Sequence, residues 1–232
     1  MSRSRRGVKE QVLRTIERHR LLRPVAGASA DAAEGPHILV ACSGGGDSIG
    51  LVLALHEARD RRPMQLTVAS VDHGLRPESR DEVAFVGTFA GRLGLGFEAL
   101  RVDLGAGGNL HDRARRLRYR ALQDCAQRVG ATFVATGHTL DDQAETVLSR
   151  ALRGGRVSAL RGVAFRRRDG VVRPLLEVRR EELRGWLRSR DVAWIEDPSN
   201  EDPRFERARI RDLWSTLEQI DPRAKDHLAA LA

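Results

Sequence analysis

His37-Ile38-Leu39-Val40-Ala41-Cys42-Ser43-Gly44-Gly45-Gly46-Asp47-Ser48, running on into Ile49-Gly50-Leu51-Val52-Leu53-Ala54-Leu55, is the stretch that decides the fold. Its first five residues lack polar alternation, as in a strand buried on both faces, and the apolar run after Ser48 suits a helix packed back onto that strand. Between them lie three glycines. Glycine takes positive φ at no steric cost and carries no Cβ, so such a turn lets backbone N–H groups come close to a ligand. The turn also opens a helix, whose unpaired first N–H groups and dipole favour an anion by about 0.3–1 kcal/mol. A phosphate group is the expected guest.

What the stretch lacks narrows the kind of phosphate site. A Walker A loop, G-x-x-x-x-G-K-[ST], sets a lysine against the β- and γ-phosphates, and no lysine occurs here. The glycines are consecutive, unlike the dinucleotide pattern G-x-G-x-x-G. On their own they also suit an ordinary βα turn, with Asp47 and Ser48 as helix caps. The pattern S-G-G-x-D-S formed by Ser43, Gly44, Gly45, Asp47 and Ser48 resembles the signature of the PP-loop ATP pyrophosphatases. That resemblance implies a loop from Ser43 to Ser48, Gly46 included, that holds the pyrophosphate portion of ATP while cleavage at the α-phosphorus leaves AMP.

At 232 residues, 41% hydrophobic and 31% charged, the chain suits a globular core with a small appendage. No apolar run approaches the ~20 residues that span a bilayer, and the basic start leads into no apolar signal segment, so a cytoplasmic location without a membrane is expected. Cys42 and Cys125 are the only cysteines and form no C-x-x-C, which argues against a disulfide scaffold and against a zinc or iron–sulfur site. Net charge is +8, and Lys9 and Lys225 are the only lysines among 40 basic residues. Arginine forks bind phosphates bidentately and stack on bases, so the composition suits a nucleic-acid partner; a GC-rich genome would enrich arginine as well.

Residues 1–36 read as a basic N-terminal helix, with Val8, Val12 and Ile16 at four-residue spacing, and a small-residue linker. From 37 to 176 strands and helices alternate: a strand at 66–71 ending in Asp72-His73-Gly74-Leu75-Arg76, a helix over 78–93, a strand at 97–103, a helix over 109–128 and a strand at 131–136. This predicts an α/β fold, a doubly wound, mainly parallel, Rossmann-like sheet with its ligands at the strand ends. In helix 109–128 the 3.6-residue period predicts a buried stripe of Leu110, Ala114, Leu117, Ala121 and Cys125. His111, Arg115 and Arg118 then share a neighbouring face, where they repel one another unless an anion or carboxylates lie opposite. Next, Thr139 and Asp142 form a capping box worth about 1 kcal/mol at the start of another helix. Capping needs one carboxylate, yet Asp141, Asp142 and Glu145 fall within one turn, a spacing that can bind Mg²⁺ or hold an ammonium ion. A hairpin over 163–176 turning at Asp169-Gly170, and a helical part over 177–232 with a helix at 181–190 burying Leu183, Trp186 and Leu187, complete the catalytic unit.

Taken in order, these stretches resemble the tRNA(Ile)-lysidine synthetases over about residues 37–215. The likeness is carried by H-G-L-R at 73–76, A-R-x-x-R-Y at 114–119, G-H-x-x-D-D-Q-x-E-T at 137–146 and the run from Asp197 through Ser199, Asn200, Asp202, Phe205 and Arg207 to Arg211. His111 stands where that family often has Glu, and Ala208 where it usually has Asn. The resemblance implies an ATP-dependent ligase. It would adenylylate O2 of the wobble cytidine of tRNA(Ile) with a CAU anticodon, then join the ε-amine of free L-lysine to C2, releasing AMP and pyrophosphate. It implies Asp47, Arg115 and Asp142 as catalytic residues, His73 beside the loop against ATP, and Asp47 and Asp142 against Mg²⁺. Asp141, Glu145, Arg118, Arg207 and Arg211 are the implied substrate-binding residues. A homodimer is expected, without the further C-terminal domains that the family generally carries. Two readings stay open beside it: another PP-loop tRNA-modifying enzyme such as a thiolase, and a non-catalytic ATP- or RNA-binding module.

Overall fold

Ile38, Leu39 and Val40 are buried on both sides of one strand: Ile38 and Val40 join the larger core cluster, Leu39 the smaller one across the sheet. This is the packing expected of a central parallel strand. In the computed structural model that describes residues 7–23, 35–72, 74, 79–105, 110–154, 160–196 and 206–232, the rest of the chain is layered on that strand. The side chains of Leu110, His111 and Arg207 fall outside the description, as do His73, Arg76 and the stretch from Asp197 to Phe205.

The elements are α1 (Val8–Arg18), β1 (His37–Ala41), α2 (Gly46–Ala58), β2 (Gln65–Asp72), α3 (Ser79–Arg92), β3 (Gly96–Arg101), α4 (Leu110–Arg128), β4 (Phe133–Ala135), α5 (Leu140–Leu152), β5 (Val171–Val172), α6 (Arg180–Arg188), α7 (Glu206–Ile220) and α8 (Ala224–Ala230). The strands lie in the order β3-β2-β1-β4-β5, all neighbours parallel, with His37 opposite Gln65 and Ile38 opposite Phe133 in the register. The parallel, helix-flanked sheet expected from the alternation is present. Strand order reverses between β1 and β4, so the carboxyl ends of these two strands flank the crevice in which open α/β sheets bind ligands.

Helix α1 is more than an adjunct. Val8, Val12 and Ile16 are buried in the main core as their spacing predicts, and the helix packs on α2. Its buried polar residues, Gln11 and Thr15, meet Glu182 and Glu177, which ties it to the segment carrying α6. Helix α6 in turn lies close to α2: a Cβ on Gly50 would sit 2.7 Å from Leu183. Leu183 and Leu187 are fully buried, as predicted, while Trp186 is half-buried.

One expectation needs correction, and one that holds is extended. Among the described side chains of α4 the buried ones are Tyr119, Leu122, Cys125 and Ala126, whereas Ala114, Leu117 and Ala121 are only half-buried. Tyr119 lies on the sheet with Leu39 and Val134, and its large ring outranks the small alanines in setting which face turns inward. The hairpin forms around Gly170, with Arg167 N donating to Val171 O (2.8 Å) and Arg173 N to Phe165 O (2.9 Å). Its second arm is β5, the last strand of the parallel sheet. Among the described residues no helix is long and apolar enough to cross a membrane.

Candidate functional site

The glycine turn leaves β1 at Cys42, whose N–H donates to Ala69 O on β2 at 2.8 Å. Ser48 ties the turn together: its Oγ accepts from Ser43 N (3.1 Å) and donates to Gly45 O (2.9 Å). Gly44 has φ +87° and its carbonyl accepts Ile195 N at 2.9 Å. A Cβ there would fall 2.6 Å from Ile195, and one on Gly46 3.4 Å from the Trp194 indole. A Cβ on Gly45 would meet nothing closer than 3.7 Å. Trp194 and Ile195 therefore back the loop from below, a support that the sequence did not reveal. Gly45 caps α2 without a side-chain hydrogen bond, and the unpaired first N–H groups of a helix favour an anion.

The second wall comes from β4. A Cβ on Gly137 would lie 3.0 Å from Asp47 O and 3.2 Å from Ser48 Cα, so the bare glycine lets the end of β4 touch the first turn of α2. Thr139 then opens α5 with the predicted capping box: its N–H donates to Asp142 Oδ2 at 2.8 Å and its hydroxyl lies 3.0 Å from the same oxygen. The exposure of the Asp142 side chain is 9%, and that of Glu145 is 1%.

These carboxylates meet a cation that sequence reasoning missed. Arg180, the first residue of α6, reaches Asp47 Oδ2 through Nε (2.9 Å), Asp142 Oδ2 through one terminal nitrogen (3.4 Å) and Glu145 Oε1 through the other (3.2 Å). Its backbone N–H donates to Asp141 Oδ2 at 2.7 Å, and Lys225 of α8 lies 3.5 Å from Asp141 Oδ1. Arg211 of α7 adds a 2.9 Å bond to Glu145 Oε1. Burial works against the charge of Arg180, but Asp47, Asp142 and Glu145 overcome it and hold the guanidinium pKa above its ordinary value. For Asp47 the balance falls the other way: burial raises its pKa against the pull of Arg180. Removing one member of such a buried set leaves uncompensated charge and costs about 3–5 kcal/mol. One signal was available in the sequence. Arg179-Arg180 opens a helix, where the dipole disfavours cations, so nearby carboxylates had to be supplied from elsewhere.

Of the residues singled out by sequence, the structure brings together Ser43 to Ser48, Asp141, Asp142, Glu145 and Arg211. Arg115 and Arg118 form a separate group around Tyr119: their guanidinium carbons lie 5.1 and 5.9 Å from its ring centre, with that of Arg167 at 4.8 Å. Burial opposes ionisation of the phenol, yet Arg115 and Arg173 outweigh it and hold its pKa below the ordinary value. Arg207 lies on α7, and Ala208 beside it is buried.

The pair Asp47 and Asp142 does not fit a resident Mg²⁺. Mg²⁺ demands near-octahedral oxygen ligands, whereas Asp47 Oδ2 and Asp142 Oδ2 already face one guanidinium, and Asp142 Oδ2 also caps α5. Among the described residues no group of three or more His, Cys, Asp or Glu side chains is disposed to hold a metal ion. What the crevice offers instead is a phosphate loop and a carboxylate cluster that share Asp47. Two buried acceptors there, Asp47 Oδ1 and Glu145 Oε2, have no hydrogen-bond partner among the described residues. Buried acceptors of this kind are costly and mark a place for a donor.

A family model described as a PP-loop domain matches residues 14–217. A tRNA(Ile)-lysidine synthase of Thermus thermophilus is 46% identical over 202 residues, which is 84% of this chain and 38% of that protein. Another of the same name from Ruegeria pomeroyi is 50% identical over 182 residues, 77% of this chain and 43% of the relative. The chain thus spans less than half the length of these two relatives. Among solved structures, the U34-tRNA thiolase NcsA from Methanococcus maripaludis, which carries a [4Fe-4S] cluster, superimposes with a TM-score of 0.74 at 18% identity, covering 96% of this chain and 76% of that one. At that identity the likeness is one of fold.

Proposed function

The chain belongs to the PP-loop domain family, and from that premise we propose that it carries the catalytic chemistry of a tRNA(Ile)-lysidine synthase. The observation that carries this reading is the double membership of Asp47. It is a residue of the phosphate loop and, through Arg180, a member of the carboxylate cluster with Asp142 and Glu145. A site for a nucleotide's phosphates and a site for a cationic donor therefore adjoin, as a reaction between a nucleotide-activated group and an amine requires.

In the proposed sequence the wobble cytidine O2 attacks the α-phosphorus of ATP and pyrophosphate leaves. The N–H groups of the Ser43–Ser48 loop and the start of α2 are preorganised for the charge that builds on that leaving group. Mg²⁺ enters as the counter-ion of the triphosphate. The lysine ε-amine then attacks C2, the new C–N bond forms, and the C–O bond to AMP breaks. An amine attacks only after losing its proton; Asp47, with its pKa raised by burial, is our choice of acceptor. Asp142 and Glu145 are assigned to the amine, with Asp141 and Arg211 holding them in place. Arg115 and Arg118, gathered on Tyr119, are assigned to phosphate charge on the adenylate or the RNA.

The test is incubation of the protein with ATP, Mg²⁺, L-lysine and tRNA carrying a CAU anticodon. The reading predicts AMP and pyrophosphate in equal amounts, dependent on both lysine and tRNA. ADP and orthophosphate as products would overturn it, and dependence on a sulfur donor in place of lysine would transfer the chain to thiolation.

A further inference from the structure

Arg180 begins a helix that has no cap of its own. Arg179 stands at the N-cap of α6, and an arginine side chain carries no oxygen to accept a backbone N–H. The connection from β5 to α6 is tied down from outside instead. On the crevice side Leu140 N donates to Val178 O (2.9 Å) and Arg180 N to Asp141 Oδ2 (2.7 Å). On the other side stands α1. The Glu177 carboxylate accepts from the Thr15 hydroxyl through one oxygen (3.0 Å) and from Arg18 through the other (3.1 Å), and His19 Nε2 lies 3.3 Å from that second oxygen. The His19 ring is fixed in turn, stacked on Phe165 with ring centres 3.6 Å apart. Gln11, one turn before Thr15, bonds Glu182 in the first turn of α6. Both buried polar residues of α1 therefore meet acids that flank Arg180 in sequence.

We propose that Glu177 is a positioning residue: by anchoring the connection before α6 to α1, it sets where Arg180 stands between Asp47, Asp142 and Glu145. The inference rests on the reading that these three acids form the reacting site, and it deepens that reading by making the site's geometry depend on a helix that precedes the whole sheet in sequence. Only two residues separate Glu177 from Arg180, so a shift of one is carried to the other. Val8, Val12 and Ile16 hold α1 in the main core by themselves, so loss of the Glu177 carboxylate leaves the helix docked and loosens the connection alone. The anchor is firm because an ionised acceptor is shared among several donors and its side chain is only 17% exposed.

The experiment follows the Arg180 Nε–H by ¹⁵N–¹H NMR in the whole chain, without nucleotide, lysine or tRNA; the resonance is identified by its loss in Arg180→Lys. That N–H donates to Asp47 Oδ2 at 2.9 Å, so its exchange with solvent reports how firmly the guanidinium is seated. Glu177→Ala should speed the exchange by about tenfold or more, and Thr15→Val, which removes one donor to Glu177, should speed it as well. Leu95→Ala, a buried truncation just before β3 at the opposite edge of the sheet, controls for a general loss of stability and should leave the exchange within about twofold of wild type. Wild-type exchange in Glu177→Ala, or equal acceleration in Leu95→Ala, overturns the proposal. Should Glu177→Ala fail to fold, Thr15→Val decides, and unchanged exchange there overturns it too. Pyrophosphate release per folded molecule should fall about tenfold in Glu177→Ala, and full turnover beside faster exchange would also overturn the assignment. Absence of lysine-dependent turnover in the wild type would sink the amine reading, whereas exchange at Arg180 judges Glu177 without lysine or tRNA.

Discussion

Replacing Gly137 by alanine asks the two strand ends of the crevice to move apart. The added Cβ would lie 3.0 Å from Asp47 O, 3.1 Å from Asp47 C and 3.2 Å from Ser48 Cα, all backbone atoms of the first turn of α2 that cannot rotate away. Overpacking of this kind costs about 1–3 kcal/mol, and the reduced freedom of the unfolded chain returns about 0.4–1 kcal/mol. A net loss of roughly 1–2 kcal/mol lowers the thermal midpoint of a chain this long by about 2–8 °C. Activity should suffer more. A displacement of a few tenths of an ångström falls on Asp47, and misplacing a reacting group by ~1 Å costs up to about 10²-fold, so a loss of roughly tenfold in pyrophosphate release is expected. Gly185→Ala is the control: it is exposed in α6 with no atom within 4 Å of the added Cβ, and it should stabilise by about 0.5–1 kcal/mol without touching turnover. The reasoning is refuted if Gly137→Ala unfolds and turns over like wild type, or behaves like Gly185→Ala.

Tyr119 is the chain's single tyrosine, so its ultraviolet phenolate absorbance reports one site. It should titrate below the ordinary value of about 10, and Arg115→Gln should move it upward; an unchanged titration would dissolve the arginine cluster. Glu177 is half-buried, which alone would raise its pKa, but hydrogen bonds from His19 and Thr15 and the charge of Arg18 hold it below the usual carboxylate range. A lowered acid contributes stability above its unfolded pKa of about 4.3 and loses it as pH falls through the folded value. Glu177→Gln should therefore be less stable than wild type at neutral pH, with the gap in denaturation midpoint closing in acid. Asp142→Asn keeps an oxygen able to accept from Thr139 N yet removes the charge beside Arg180, so pyrophosphate release should drop more than about 10²-fold. Its circular dichroism spectrum should stay that of wild type, and retained turnover would remove Asp142 from the site.

The sheet was readable because β1, β2 and β4 are short apolar runs and the helices between them carry a 3.6-residue period. The loop and the capping box were readable because each is local: Ser43 to Ser48 and Thr139 to Asp142 are closed by bonds within a few residues. What the sequence could not display is anything made by a distant contact. Val171 and Val172 look like one arm of a hairpin, and only pairing with Val134 and Ala135 makes them a fifth strand. On α4 the period was right but the phase was not, because Tyr119 can turn inward only where Leu39 and Val134 receive it. Arg180 reads as one arginine in a charged helix start, and its role appears when α6 docks on α2 through Leu183 and Gly50.

The bond from Ile195 to Gly44 joins the phosphate loop to a segment translated much later. A chain emerging from the ribosome can pair β1 with β2 early, since they are close neighbours in sequence, but the floor beneath the glycines has to wait until Ile195 has been made. A firm seat for a phosphate is then acquired well after the glycine motif itself has been synthesised. A half-made polypeptide would contain the glycine motif in full and still have no firm seat for it.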